Sequence, residues 1–331
     1  MRLLAAIPTL VGIVFVTFAL TRMLPGDPAV YFAGPTATEA SIEETRVRLG
    51  LDRSIPEQFF AYLSDLARGD LGNSLTTGQN VVDDLRSRLP ASLELTFGAL
   101  LFAACLGIPL GIGAALHPGG AVDRACSVVS TVGQAVPTFF LGLLFVFVFY
   151  YLLGWAPAPI GRLEIFYASP TEITGFWSLD AAIAGDWETL GAVLAQLVLP
   201  VTTLGLFGLG PLARITRASM IEVLGSDFVR TAWAAGLPRR KVLWTYAFRN
   251  AVVPVLNTVG MVFSFMLGAS VLVEKVFGWP GIGAYAIDAV LASDYAPVQG
   301  FVLAMAFLYL MVNLAIDIAT GLLDPRVRFD V

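Results

Sequence analysis

The sequence predicts an all-α membrane protein with six transmembrane helices and a small extracytoplasmic helical domain between the first and the second. Three observations predict it. Of 331 residues, 57% are hydrophobic and only 14% carry charge, where a soluble domain carries about 25%; the mean hydropathy is +0.77. Six stretches approach the ~20 apolar residues that cross a bilayer, near 3–24, 92–116, 126–154, 191–213, 252–274 and 299–322. Laid out as six spans, the chain puts nearly all basic residues of its short loops on one side, and that asymmetry sets orientation.

Residues 1–24 hold the first span. It is too long for the apolar region of a signal peptide, and Leu24-Pro25-Gly26-Asp27 is not a small-residue cleavage site, so it reads as an anchor. Pro25 to Pro28 turn the chain out of the membrane into a 25–91 domain, which has six arginines and ten carboxylates. Ala40–Leu49, Pro56–Ala67 and Val81–Leu89 read there as three short amphipathic helices broken by glycines. Residues 92–322 form the core. Its spans hold Pro109, Pro137 and Pro200 among many glycines; proline kinks a helix and small residues let helices approach closely. A 155–190 loop sets Arg162 against Glu164, Glu172, Asp180, Asp186 and Glu188. A 214–251 loop faces the other side and a 323–331 tail ends the chain. Arg2, Arg124, Arg326 and Arg328 fall with the 214–251 loop, so that side and both termini are expected in the cytoplasm.

The 214–251 loop is the informative one. Arg214, Arg217, Arg230, Arg239, Arg240, Lys241 and Arg249 are opposed only by Glu222 and Asp227. Ser226 or Asp227 suits a helix N-cap. Phe228, Val229, Ala232, Trp233 and Ala235 then recur at helical spacing to make one apolar face. Gly236 suits the left-handed helix end, and Pro238 the first turn of the next helix. The expected device is a two-turn helix, a glycine corner and a basic helix re-entering the membrane.

Arg230-Thr-Ala-Trp-Ala-Ala-Gly236-Leu237, followed by Arg249-Asn250-Ala-Val-Val-Pro254, resembles the cytoplasmic "EAA" loop of binding-protein-dependent ABC importer permeases. The resemblance is to the B-type permease of the dipeptide/oligopeptide/nickel branch, with Arg230 where the wider pattern has glutamate. Leu24-Pro-Gly-Asp-Pro28, Leu49-Gly-Leu-Asp52, Phe277-Gly-Trp-Pro-Gly-Ile-Gly283 and Leu323-Asp-Pro-Arg326 extend it over nearly the whole chain. It implies a type I importer permease that pairs with a second, homologous permease, two ATP-binding subunits and an extracytoplasmic solute-binding protein. It also implies that Phe228 to Leu237 couple to the ATPases, that Arg239, Arg240, Lys241 and Arg249 make basic contacts with acidic ATPase surface or lipid headgroups, and that the 25–91 domain caps an external gate. Peptides are the expected cargo; nickel, opines and oligosaccharides are carried by close relatives.

The chain itself carries no catalytic pattern. Its two lysines, Lys241 and Lys275, each precede valine and neither follows glycine, so no phosphate-binding loop is possible; ATP and Mg belong to partner subunits. One histidine, His117, rules out a zinc-protease motif, and Cys105 and Cys126 fall in or beside apolar spans, so neither metal nor cofactor is expected. With no basic face outside one loop, nucleic acid is not a partner. Eighteen arginines beside two lysines suggest a GC-rich genome, hence a bacterial or archaeal plasma membrane. Polar groups inside spans mark candidate path residues: Gln134 with Pro137, and Asn313 with Asp317 four residues on. Trp279 joins them as part of an external gate, and Glu94 is expected near the outer end of span two, within reach of water. An ion-coupled transporter would need an inverted repeat and midplane carboxylates, and neither is evident. An assembly protein would not need the 214–251 elbow.

Overall fold

The computed structural model describes residues 11–19, 22, 27–34 and 36–323. Among them the elements are helices, apart from an isolated bridge between Asn73 and Asn80. In order they are α1 (residues 11–19), α2 (Pro28–Ala33), α3 (Glu39–Arg48), α4 (Ile55–Ala67), α5 (Val81–Leu116), α6 (Ala121–Ala135), α7 (Thr138–Phe145), α8 (Trp177–Ala184), α9 (Trp187–Leu224), α10 (Asp227–Ala234), α11 (Arg239–Lys241), α12 (Arg249–Val276), α13 (Ile282–Leu291) and α14 (Tyr295–Leu323). The ladder widens to π-type over Val146–Leu152 after α7 and over Val242–Phe248 between α11 and α12, so Arg239 to Val276 run as one helix.

Several elements depart from the sequence expectation. The third short helix does not stand alone: Val81–Leu89 is the start of α5, which passes through Pro90 into the apolar span. Expected span 126–154 is two helices, Ala121–Ala135 and Thr138–Leu152, bent by 100° at the break before Pro137. Helix α9 overruns its expected end at 213 by three turns, so Arg214 and Arg217 are helical residues and not loop residues. Four described helices are long and apolar enough to cross a membrane, or five if the bent pair counts as one span. The expected first span and the Leu323 to Arg326 motif lie mostly outside the described residues.

The chain divides into two compact units, Met1–Pro90 with Pro280–Leu310 and Ala91–Trp279 with Met311–Val331. In the first, Phe59 of α4 meets Phe15 and Phe18 of α1 at ring-centroid distances of 5.5 and 5.2 Å. Val81, Leu85, Ile282 and Tyr285 form a second apolar cluster. Beside it the buried Asp294 carboxylate organises the 74–76 turn. Its Oδ2 accepts from Ser74 Oγ (3.0 Å), from the Leu75 and Thr76 amides (2.6 and 3.1 Å) and from Thr76 Oγ1 (3.3 Å), while Oδ1 has no partner among the described residues. Burial pushes this carboxyl above the ordinary carboxylate range, against the bonds from Thr76, Ser74 and Leu75.

The second unit is built around α9, which packs on α12 and on α6. Asp186 starts it by accepting from the Thr189 amide at 3.0 Å, which satisfies a donor of the first turn. Small residues make its crossings possible. A Cβ on Gly111 of α5 would stand 2.5 Å from the Ala213 carbonyl, and one on Gly210 would stand 2.9 Å from Ser130 Cα of α6. Glu94 is not in contact with water, as its place in the sequence suggested. It is buried and paired with buried Arg162 at 2.6 Å, and it also accepts from the Ser178 amide at 2.7 Å. Arg162 donates to the Gly175 carbonyl and lies over the Trp177 ring at 4.3 Å. Burial lowers the Arg162 pKa and the Glu94 charge offsets part of that. Glu274 is likewise buried and accepts from Ser92 Oγ at 2.6 Å.

Two outcomes follow from these buried charges. Arg162→Ala leaves Glu94 buried without its cation and is expected to cost about 3–5 kcal/mol, read as a fall in apparent melting temperature in detergent. Glu94→Gln/Arg162→Met, which removes both charges, is expected to recover most of it; a double variant as weak as the single would show that the pair does not act as a pair. For Asp294 the folded pKa is raised, so its contribution is present at acid pH and lost as pH rises through the folded value. Asp294→Asn is expected to melt higher than wild type at neutral pH, with the gap closing on acidification. A gap independent of pH would sink the assignment.

Candidate functional site

Two features of the second unit stand out, and the first is the elbow around α10. Ser226 holds the N-cap backbone position, but its hydroxyl does not cap α10: it donates back to the Val223 carbonyl at 2.6 Å and closes the end of α9. The C-terminus is closed by a glycine motif. Gly236, at φ 71°, donates its amide to Trp233 O at 3.0 Å, and Leu237 donates to Ala232 O at 3.3 Å, the paired bonds of a left-handed helix end. Sequence spacing placed Phe228, Val229, Ala232 and Trp233 on one docking face, but the structure splits them. Val229 and Ala232 are buried on the chain's own Val223, Leu224, Leu237, Val242 and Tyr246. Phe228 and Trp233 remain 46% and 43% exposed. The inward pair fastens α10 to the end of α9 and to the start of the Arg239–Val276 helix, and the outward pair is left bare beside exposed Ala235.

The cations of the elbow are exposed. Arg230 reaches Asp227 at 3.2 Å and the Gly225 carbonyl at 3.1 Å, but both side chains of that ion pair are solvated, and such a pair contributes little. Arg239, Arg240 and Lys241 are the first residues of a helix, where the helix dipole disfavours positive charge. Their placement therefore does not serve helix stability. Arg249 is also exposed, eight residues beyond Lys241.

The second feature is a cavity of about 480 Å³ between α6, α9 and α12. Gln134 lines it, with Phe207, Pro211, Arg214, Met261 and Phe265. Pro137 stands three residues past Gln134 at the α6–α7 break. Sequence reading named Gln134 and Pro137 but not the α9 and α12 residues. The signal was Pro211: a proline inside a helix removes a backbone donor, and that is costly in a membrane unless the freed group faces a cavity or another helix. Other candidates fall elsewhere. Trp279 does not line an opening; it is almost fully buried, and its indole N–H donates to the Ala91 carbonyl at 2.8 Å. Asn313 and Asp317 lie half-buried on α14 and do not line this cavity. Among the described residues no cluster of His, Cys, Asp or Glu is arranged to hold a metal.

Comparison with known proteins gives this geometry a context. Residues 107–329 match the family described as binding-protein-dependent transport system inner membrane component, and residues 1–96 match the N-terminal membrane component of the same systems. The probable D,D-dipeptide transport system permease of Escherichia coli (strain K12) is 41% identical over 316 residues, covering 96% of this chain and 93% of the relative. The di/tripeptide transport system permease of Pseudomonas aeruginosa (strain UCBPP-PA14) is 40% identical over 328 residues, with 99% and 97% covered. The dipeptide transport system permease of E. coli K12 is 36% identical over 335 residues, again with 99% and 97% covered. With both family profiles in register along the sequence and relatives matched nearly end to end, the chain belongs to the inner-membrane permeases of binding-protein-dependent transport systems.

Proposed function

We propose that this chain is one of two homologous permease subunits of an ATP-driven importer, and that together they form the path for di- and oligopeptides handed over by a solute-binding protein. The peptide cargo rests on the names of the relatives above. In this reading the chain crosses the membrane six times. Residues 1–24 are the anchor, 25–91 an extracytoplasmic domain that caps the external gate, 92–322 the core, and 323–331 a cytoplasmic tail. The basic 214–251 stretch and both termini lie in the cytoplasm. The permease binds no nucleotide; two partner subunits bind ATP and Mg and hydrolyse the ATP.

The observation that carries the mechanism is the division of α10 into a fastened face and a bare face. Force from a closing ATPase pair has to reach the spans through something stiff. Val229 and Ala232 tie α10 to two helices of 38 residues each, so a push on α10 moves both. Phe228 and Trp233 are the groups a partner can grip, since exposed aromatic residues on a membrane protein's aqueous loop otherwise face water at a cost. The glycine corner at Gly236 fixes the angle between the two arms. Arg239, Arg240, Lys241 and Arg249 meet acidic ATPase surface or lipid headgroups, which explains why they sit against the helix dipole. When the ATPases close, the elbows of the two permeases move together and the spans switch to an outward-open path; hydrolysis resets them.

In proteoliposomes holding the complete complex, Phe228→Ala/Trp233→Ala and Gly236→Pro are expected to abolish most of the ATP hydrolysis stimulated by loaded binding protein, and uptake with it, while the chain inserts at normal abundance. Val229→Ala is expected to act differently, lowering apparent stability by roughly 1–2 kcal/mol through lost burial. Full stimulation and uptake in both elbow variants would remove the coupling role.

A further inference from the structure

We propose that the cavity between α6, α9 and α12 is a seat for the peptide in transit, and that Arg214 there receives the peptide's C-terminal carboxylate; this rests on the peptide reading above. The observation is an imbalance of charge in α9. Arg217 is neutralised by Asp123 of α6 through a two-pronged pair. Arg214, less than one turn earlier and lining the cavity, forms no ion pair among the described residues. Arg214 is exposed, so water meets its charge in this structure, as a cation beside an apolar wall requires. A carboxylate presented by the cargo takes the place of that water, and the planar guanidinium suits two-point contact with it.

The rest of the wall suits the rest of a peptide. Pro211 has no N–H, so the Phe207 carbonyl at the cavity lacks its helical donor and is available to a peptide N–H. Gln134 uses one donor on the Ser130 carbonyl at 3.1 Å, which leaves its amide oxygen and second N–H for a peptide bond. Between these polar points lie Phe207, Met261 and Phe265, and the last two are exposed on α12. Methionine is flexible and polarisable and accepts side chains of differing shape, as a carrier of varied peptides requires. The volume of about 480 Å³ falls in the range of roughly 300–1,000 Å³ usual for small-molecule sites. An acyl chain would use the apolar wall but neither the amide of Gln134 nor the carbonyl of Phe207. The seat contains one solvated cation and few polar groups, so it holds cargo weakly enough to release it.

The test uses the complete complex in proteoliposomes, scoring peptide moved per ATP hydrolysed for Ala-Phe and for its C-terminal amide. Arg214→Gln is expected to lower the score for Ala-Phe by roughly tenfold to a hundredfold, the range of one lost charged hydrogen bond, and to spare the amide. Arg214→Lys, which keeps the charge and the topology signal, is expected to recover part of the loss. Met261→Trp, which fills the cavity, is expected to penalise Ala-Phe more than Gly-Gly, and so gives an independent reading if Arg214→Gln fails to insert. An equal loss for the acid and the amide, or no loss for either, overturns the proposal. So does a phospholipid that co-purifies with wild type, is lost in Arg214→Gln and leaves uptake unchanged. If the wild-type complex carries no peptide, the cargo reading falls and this inference falls with it; if it does carry peptide, the variants judge the inference alone.

Discussion

A peptide group cannot be left unbonded in hydrocarbon, and the rest of this structure depends on that constraint. With no water to accept or donate, the chain crosses as helices, and each interruption has to be covered. The break between α6 and α7 is covered locally: the Val136 amide reaches Val132 O, and the Leu141 amide reaches Pro137 O. The gap opened by Pro211 in α9 lies at a cavity wall. The corner after α10 spends both its free amides on the preceding turn. Long helices, rare breaks and capped corners are therefore one solution to one problem, and they leave a few stiff levers joined at defined points.

Stiff levers need close seams, and the seams here are made by residues with little or no side chain. Gly111 and Gly210 bring α9 into backbone contact with α5 and α6. Dispersion between backbones replaces the hydrophobic drive that lipid takes away. Such a seam resists separation yet offers few interlocking knobs to resist sliding. At the end of α9 the opposite strategy appears, because Val229, Ala232 and Val242 interlock in a small apolar cluster outside the long apolar windows. On the coupling mechanism proposed above, the element that must not slip is the interlocked one.

What the residues disclosed in advance follows the same physics. Apolar length is a property of composition, so four of the spans after residue 90 could be located from the sequence, although their ends could not, and nor could the 100° bend within 126–154. α9 and the Arg239–Val276 helix run on past their apolar windows because nothing in Arg214–Leu224 or Arg239–Phe248 breaks a helix. Pro90 did not stop α5: as the tenth residue of that helix it removes the donor for the Arg86 carbonyl, a local loss that the 36-residue helix bears. Glycine at 236 and proline at 238 marked the corner because their backbone demands are local. Local sequence did not reveal which way each apolar side chain of α10 points, because Val223 and Val242 come from other helices. Nor did it show that Glu94 finds Arg162, 68 positions away. A charge in an apolar run reads as functional until its partner is seen.

That last point sorts the charged groups of the second unit. Glu94 with Arg162, and Asp123 with Arg217, are answered within the chain; each pair joins two segments. Arg230, Arg239, Arg240 and Lys241 lie exposed at the elbow, where water satisfies them. Arg214 is exposed as well, but it lies away from the elbow. It borders an apolar cavity and forms no ion pair among the described residues, whereas α6 supplies a carboxylate, Asp123, to the arginine three residues on. A protein built to hold its helices rigid would have placed an acid there as well. A protein that moves an anion-bearing cargo past those helices keeps the place open, because a resident acid would compete with every passing carboxylate.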